Sequence, residues 1–169
     1  EGFEQGAYDN LPLEPWLLQS YPPFGFPLLS EEDYYLRTML AAVESIRAGV
    51  TTVQDDYVHL PGTPEAQDAA IQAYLDSGLR AWVTVDLWDV GLLDCLPYVR
   101  SIIPQPIQDE ILALPFTSTA EQLALFQRHF EKWHGRDGRI RIVIAPCGPQ
   151  RCSPAMLREI KRLADALDI

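Results

Sequence analysis

The stretch from Arg139 to Leu157 limits what this chain can fold into more than any other part of it. It opens with the β-branched residues Ile140, Ile142, Val143 and Ile144 and then meets Pro146, Gly148 and Pro149, which end regular structure. A short apolar run bounded in this way reads as a strand buried on both faces of a parallel sheet. Ser153 is a residue type that caps helix N-termini, and Pro154 stands at the first helical position, where a missing N–H costs nothing. The pattern therefore predicts strand, polar loop and helix. In folds built from such units, the loops at the carboxyl ends of the strands carry the chemistry, so Cys147, Gln150, Arg151 and Cys152 are the first candidates for a site.

The same rhythm recurs upstream. Ser30 followed by Glu31, Glu32 and Asp33 predicts a capped helix start, Leu36, Met39, Leu40, Val43 and Ile46 follow at helical spacing, and Gly49 marks the stop. Val50 to Val53 predicts a strand that ends at Gln54, Asp55 and Asp56, with a second loop running through His59 to Pro64. Glu65 to Ser77 predicts a helix carrying Ala69, Ala70, Ala73, Tyr74 and Leu75, and Gly78 follows as its C-cap. Leu79 to Leu87 predicts another buried strand, ending at Asp86, Trp88 and Asp89. Residues 90–117 break the rhythm and read as an insertion with a helix fragment around Gln108 to Leu114. Ser118 then caps a helix with Leu123, Leu125, Phe126, Phe130 and Trp133, ending near Gly135. Ahead of all this, Glu1 to Pro27 is rich in proline and aromatics and reads as a long loop with a helical turn near Leu13 to Leu18. Three strands, each between helices, predict an α/β fold with a parallel sheet and right-handed crossovers.

Charge and cysteine usage bound the partners. Thirteen basic against 24 acidic residues leave a net charge of −11, which disfavours nucleic acid and anionic membranes. No apolar run reaches membrane-span length and no signal peptide is visible, so the mature chain reads as soluble. The 169 residues, 47% of them hydrophobic, suit one domain with one core at most. Three cysteines with no CxxC spacing point to reduced thiols and a cytoplasmic location. The first residue is Glu1 rather than Met, and Ile169 stands on the approach to another strand, so both ends read as cut.

Four pieces, in order, carry a resemblance. Asn10 to Leu17 (Asn-Leu-Pro-Leu-Glu-Pro-Trp-Leu), Arg47 to Asp55 (Arg-Ala-Gly-Val-Thr-Thr-Val-Gln-Asp), Gly78 to Ala81 (Gly-Leu-Arg-Ala) and Ala145 to Pro154 (Ala-Pro-Cys-Gly-Pro-Gln-Arg-Cys-Ser-Pro) resemble the amidohydrolase superfamily. Each is weak alone; together they span nearly the whole chain. The likeness is to the branch of aminohydrolases and chlorohydrolases acting on nucleobase-like or triazine rings, including guanine-deaminase-like members. It implies part of a (β/α)8 TIM-like barrel, about strands two to four with their helices, so that residues 1–169 form an incomplete metal-dependent hydrolase barrel domain and 90–117 its insertion.

The resemblance implies a divalent metal, zinc or iron, in the full-length parent, where it activates water for attack on an electron-poor ring carbon. The family's HxH motif, its later histidines, its aspartate and its proton-moving glutamate all fall outside this chain. No metal and no catalytic residue are therefore expected here, and the isolated chain is expected to be inactive. His59, His129 and His134 do not substitute: no HxH or HxxxH pair exists, and the last two fall on or just after a helix expected to face outward.

Three residues become candidate substrate contacts. Trp16 matches a tryptophan that helps line the family's pocket, and a flat indole suits a heteroaromatic ring; it would equally serve to staple its loop to the barrel. Cys147 stands where many members have a ring-binding histidine, and Pro-Cys at this point is similar to guanine-type deaminases, which favours an oxopurine over adenine. Gln150 or Arg151 would supply the hydrogen bond that the thiol does not, unless the loop is simply solvated.

Other readings are weaker. Cys147 has no sequence-near histidine to activate it as a nucleophile, and a buried structural thiol is its plainer role. Asp55, Asp56, Asp86 and Asp89 form acidic pairs at strand ends that would suit magnesium, but loop capping and solvation account for them as well. Dinucleotide, Walker and serine-hydrolase motifs are absent. The expectation is a fragment of a metal-dependent amidohydrolase that deaminates or dechlorinates a small nitrogen heterocycle such as an oxopurine, with a homo-oligomeric parent compatible with it. The rival is a non-catalytic α/β binding module.

Overall fold

The helices of this chain begin where short polar side chains satisfy their first amides. Ser30 Oγ accepts from the Asp33 amide at 3.2 Å while the Asp33 carboxylate accepts from the Ser30 amide at 3.0 Å. This capping box opens α1 (Glu31–Arg47). The computed structural model describes residues 10–12, 16, 29–57, 64–95, 98–114 and 117–169. After α1 come β1 (Thr52–Asp55), α2 (Pro64–Ser77), β2 (Arg80–Leu87), the short helices α3 (Leu92–Cys95), α4 (Val99–Ile102) and α5 (Gln105–Leu112), then α6 (Thr119–Trp133), β3 (Ile140–Pro146) and α7 (Pro154–Leu167). The strands form one open parallel sheet in the order β1-β2-β3. Among the described residues no helix is long and apolar enough to cross a membrane.

The chain divides into two units. The first holds the described parts of Glu1–Gln54, His59–Trp82 and Gly135–Ile140. In it α1 packs along α2, and the Tyr35 hydroxyl donates to the Asp76 carboxylate at 2.9 Å. The expected core stripe of α1 is not its buried face: Leu36, Leu40, Val43 and Ile46 are exposed, and the small Thr38 and Ala42 are buried instead. The buried face of α2 carries Ala66, Ala70 and Ala73, and small residues on both helices let their backbones approach closely. The first strand also starts two residues later than the predicted Val50. The Val50 amide still bonds the Ser45 carbonyl at 2.9 Å, in the turn that Gly49 makes at φ +86°, so extension begins only at Thr52.

The second unit holds the described parts of Asp55–Val58, Val83–His134 and Arg141–Ile169. Val83, Val85 and Leu87 of β2 are buried, with Phe126, Ile142 and Met156 also in the core. On β3 the expected burial of both faces holds only in part: Ile142 is fully buried, Arg141 is exposed, and Val143, Ile144 and Ala145 are half-buried, because β3 is the last strand of the described sheet. Among the described residues of 90–117 there are three helices where the sequence suggested one. Their organiser is Gln108, buried, whose amide donates to the carbonyls of Arg100 at 2.8 Å and Ile103 at 2.7 Å.

On α6 the buried positions are Gln122, Phe126, His129 and Trp133, a single face at spacings of four, three and four. His129 is therefore fully buried rather than turned outward. His134 follows the helix, stacks on Phe130 with centroids 4.3 Å apart, and sets Nδ1 3.1 Å from the Ile142 carbonyl oxygen and 3.3 Å from its amide nitrogen.

A capping box also opens α6, with Ser118 Oγ accepting from the Glu121 amide at 3.3 Å and Glu121 accepting from the Ser118 amide at 2.9 Å. Ser118→Ala should cost about 1 kcal/mol, the usual worth of such a cap. Urea unfolding checks this: the midpoint should fall while the slope stays the same.

Candidate functional site

The site grows from two loops of the second unit, one after β2 and one after β3. The Leu87 carbonyl accepts from the Cys147 amide at 2.9 Å and from the Cys152 thiol at 3.2 Å. The Arg151 carbonyl accepts from the amides of Asp89 at 3.1 Å and Val90 at 3.0 Å, and Arg151 Nε donates to the Val90 carbonyl at 3.0 Å. Asp89 takes the Ser153 amide at 2.6 Å and the Ser153 hydroxyl at 2.5 Å, while Ser153 Oγ accepts from the Met156 amide at 3.1 Å to cap α7. Asp89 is thus a strut between the loops, as the capping alternative foresaw.

Trp88 is held as firmly. The Gln122 side chain accepts from its amide at 2.9 Å and donates to its carbonyl at 2.7 Å, and also donates to the Thr117 carbonyl at 2.8 Å. The Arg151 guanidinium lies over the Trp88 ring, 4.3 Å from its centroid.

Asp86 stands near the end of β2, beside these loops. The pleat puts Thr84 and Asp86 on one face of β2 and Val83, Val85 and Leu87 on the other. Thr84 Oγ1 donates to the Asp56 carboxylate at 2.8 Å. Asp86 is only 3% exposed, and neither of its oxygens receives a well-formed hydrogen bond among the described residues. The Cys147 thiol faces it as a weak donor. Burial pushes the Asp86 carboxyl up to about 6, with the charge of Asp56 adding to the rise and the Cys147 thiol and Arg151 opposing it. Burial likewise pushes the Cys147 thiol up to about 12, helped by the Asp86 charge and hydrogen bond. A thiol so protonated is a poor nucleophile, in line with the sequence reading.

The other expected residues fall as follows. Cys147, half-buried, lies at the centre of the site and Arg151 beside it. Gln150 is exposed and folded back on Gly148, whose added Cβ would meet Gln150 Oε1 at 3.0 Å. Trp16 belongs to the first unit, is half-buried, and donates its amide to the Pro12 carbonyl at 3.1 Å, the bond of a helical turn. His59 lies outside the described residues, as does most of the loop expected through it. No three His, Cys, Asp or Glu side chains among the described residues stand close enough to hold a metal ion. Gln122 and the Trp88–Arg151 stack were not expected. Asp86 had a signal, as a charged residue on a β-branched strand one position before the strand's end.

Comparison with known proteins places the chain. The family model described as "Amidohydrolase family" matches residues 2–169. A 5-methylthioadenosine/S-adenosylhomocysteine deaminase of Desulfitobacterium hafniense is 31% identical over 162 residues, which are 95% of this chain and 30% of that protein. Among solved structures, a mutant atrazine chlorohydrolase TrzN from Arthrobacter aurescens TC1, complexed with zinc and atraton, superposes with a TM-score of 0.63 at 19% identity over 83% of this chain and 29% of its own. Guanine deaminase from C. acetobutylicum, with bound guanine, superposes with a TM-score of 0.56 at 15% identity over 93% and 32%. These likenesses show the fold: the chain is a three-stranded part of a (β/α)8 barrel, spanning about 30% of the length of the curated relatives it matches.

The Asp86 carboxyl has a consequence for stability. Its folded value, about 6, lies above the unfolded 3.8, so the folded state holds the proton more tightly and stability falls as pH rises from about 4 to 6. Above that range the buried charge costs about 3 kcal/mol. Asp86→Asn should therefore raise stability by about 1 to 3 kcal/mol at pH 7.5, allowing for the amide's own unmet hydrogen bonds, and by little near pH 4. Urea unfolding of the two proteins at both pH values measures the difference.

Proposed function

Because the chain belongs to the amidohydrolase family, we propose that it is the part of a metal-dependent hydrolase that walls the pocket for a nitrogen heteroaromatic ring. The reaction is hydrolytic loss of ammonia, or of chloride, from that ring, with an oxopurine as the favoured substrate class. The observation that carries this reading is the Cys147–Asp86 pair: a half-buried thiol and a buried carboxyl held at the carboxyl ends of two neighbouring parallel strands, where folds of this kind bind their ligands. Support for the reaction comes from the deaminase named above, and for ring size and shape from the guanine and triazine enzymes. The metal, zinc or iron, belongs to the full-length protein; zinc accompanies the triazine enzyme. The described residues do not fit a metal, and their part is to shape the pocket.

In that pocket Cys147 contacts the substrate, with Gln150 on the same loop as a further contact; Trp16 is proposed as a substrate contact on its match to the family's tryptophan alone. Residues 90–117 are an insertion that supports the site, since Val90 and Gly91 lead directly from the Arg151-bound loop into α3.

Ammonia release by the full-length protein, assayed with guanine, adenosine derivatives and aminotriazines, tests the proposal. No release from any of them, with rings bound all the same, would favour a non-catalytic binding module. Cys147→His in that protein should shift the relative kcat/KM between an oxopurine and an adenine-type substrate roughly tenfold or more, because it trades a small thiol for a ring with a donor and an acceptor. An unchanged ratio with a lowered melting temperature would remove Cys147 from the pocket and leave it a packing residue.

A further inference from the structure

We propose that Asp86 is itself a substrate-binding residue, whose carboxylate accepts two adjacent N–H donors from the ring, as the N1–H and 2-amino group of a 2-amino-6-oxopurine present them. The inference rests on the reading of this site as a ring-binding pocket and names the ring edge that it takes.

A carboxyl taken out of water is normally paired or fully hydrogen-bonded, since burying it otherwise is costly. Asp86 is 3% exposed and has neither form of relief among the described residues: no N–H or O–H completes a bond to either oxygen. The groups that face it are Cys147, Asp56 and Arg151. A thiol is a weak donor, Asp56 is itself an acid and is occupied by the Thr84 hydroxyl, and Arg151 is committed to the Val90 carbonyl and the Trp88 ring. The fold thus leaves two buried acceptor oxygens without a partner among the described residues at the end of β2, next to the residue proposed to touch the ring.

Two carboxylate oxygens side by side complement two parallel N–H donors, the geometry by which carboxylates bind guanidinium groups. The amidine edge of a 2-amino-6-oxopurine offers that pair. An adenine edge alternates one acceptor nitrogen with one amino donor, and would need Asp86 protonated. A ring docked against Cys147 supplies the donors that the thiol cannot, and the raised proton affinity of Asp86 falls as it binds.

The test uses full-length wild-type and Asp86→Asn protein, with guanine, hypoxanthine and adenine as probes. Binding is read at pH 7.5 as stopped-flow tryptophan fluorescence, within the first turnover. Wild type should bind guanine at least tenfold more tightly than hypoxanthine, which lacks the 2-amino group, and more tightly than adenine. Asn offers one acceptor and one donor, so the variant should lose tenfold or more for guanine and shift its preference toward adenine. Equal wild-type affinity for guanine and hypoxanthine, or no binding of either, overturns the inference without any variant. So does a guanine-to-adenine ratio that Asp86→Asn leaves unchanged. Guanine held through Asp86 without ammonia release would overturn the proposed reaction and leave this inference standing. Turnover of another ring, at a ratio indifferent to Asp86→Asn, would do the reverse.

Discussion

The site depends on the backbone seam between the loops that follow β2 and β3. Two carbonyls, those of Leu87 and Arg151, accept four hydrogen bonds between them, and Asp89 adds two more from Ser153. Net values of about 1 kcal/mol for a neutral bond and somewhat more for a charged one make this seam worth several kcal/mol. Loops are ordinarily the softest parts of a fold. Here the seam makes them a rigid frame, with Ser153 acting both as a partner of Asp89 and as the cap of α7. Cys147 and Arg151 owe their positions to it.

Asp86 lies buried at the end of β2, beside the loops that this seam ties together. The cost of about 3 kcal/mol at neutral pH is a large part of a domain's usual net stability, and a purely structural role would have been filled at no such cost by an apolar side chain. Residues that break local rules without compensation in the fold tend to belong to sites.

Much of the fold was legible in the sequence because caps and glycines are local signals. Ser30, Ser118 and Ser153 each cap the helix expected of them, and Gly49 and Gly78 take the positive φ that a helix stop requires. What depends on partners was not legible. The stripe of Leu36, Leu40 and Val43 reads as a core face by period alone, and only the alanine-rich α2 makes Thr38 and Ala42 the buried side. Gln108 and Gln122 look like solvent positions until the carbonyls they bind are in place. For the site, the position of Cys147 followed from the strand-loop-helix pattern, whereas Asp86 acquires its chemistry only across the sheet, from a thiol 61 residues later in the chain.

The identity of residue 147 then has a physical logic. By the resemblance noted above, a histidine is the commoner residue there, and an imidazole beside a buried carboxylate would donate a strong hydrogen bond to it or pair with it as a cation. Either would fill one Asp86 oxygen and settle its charge within the protein. A thiol held near 12 is small, stays protonated and donates weakly, so it lies against Asp86 without using up its acceptors. Cys147 and Asp86 are on this view one device, in which the weak donor at one strand end keeps the strong acceptor at the next available for the ring.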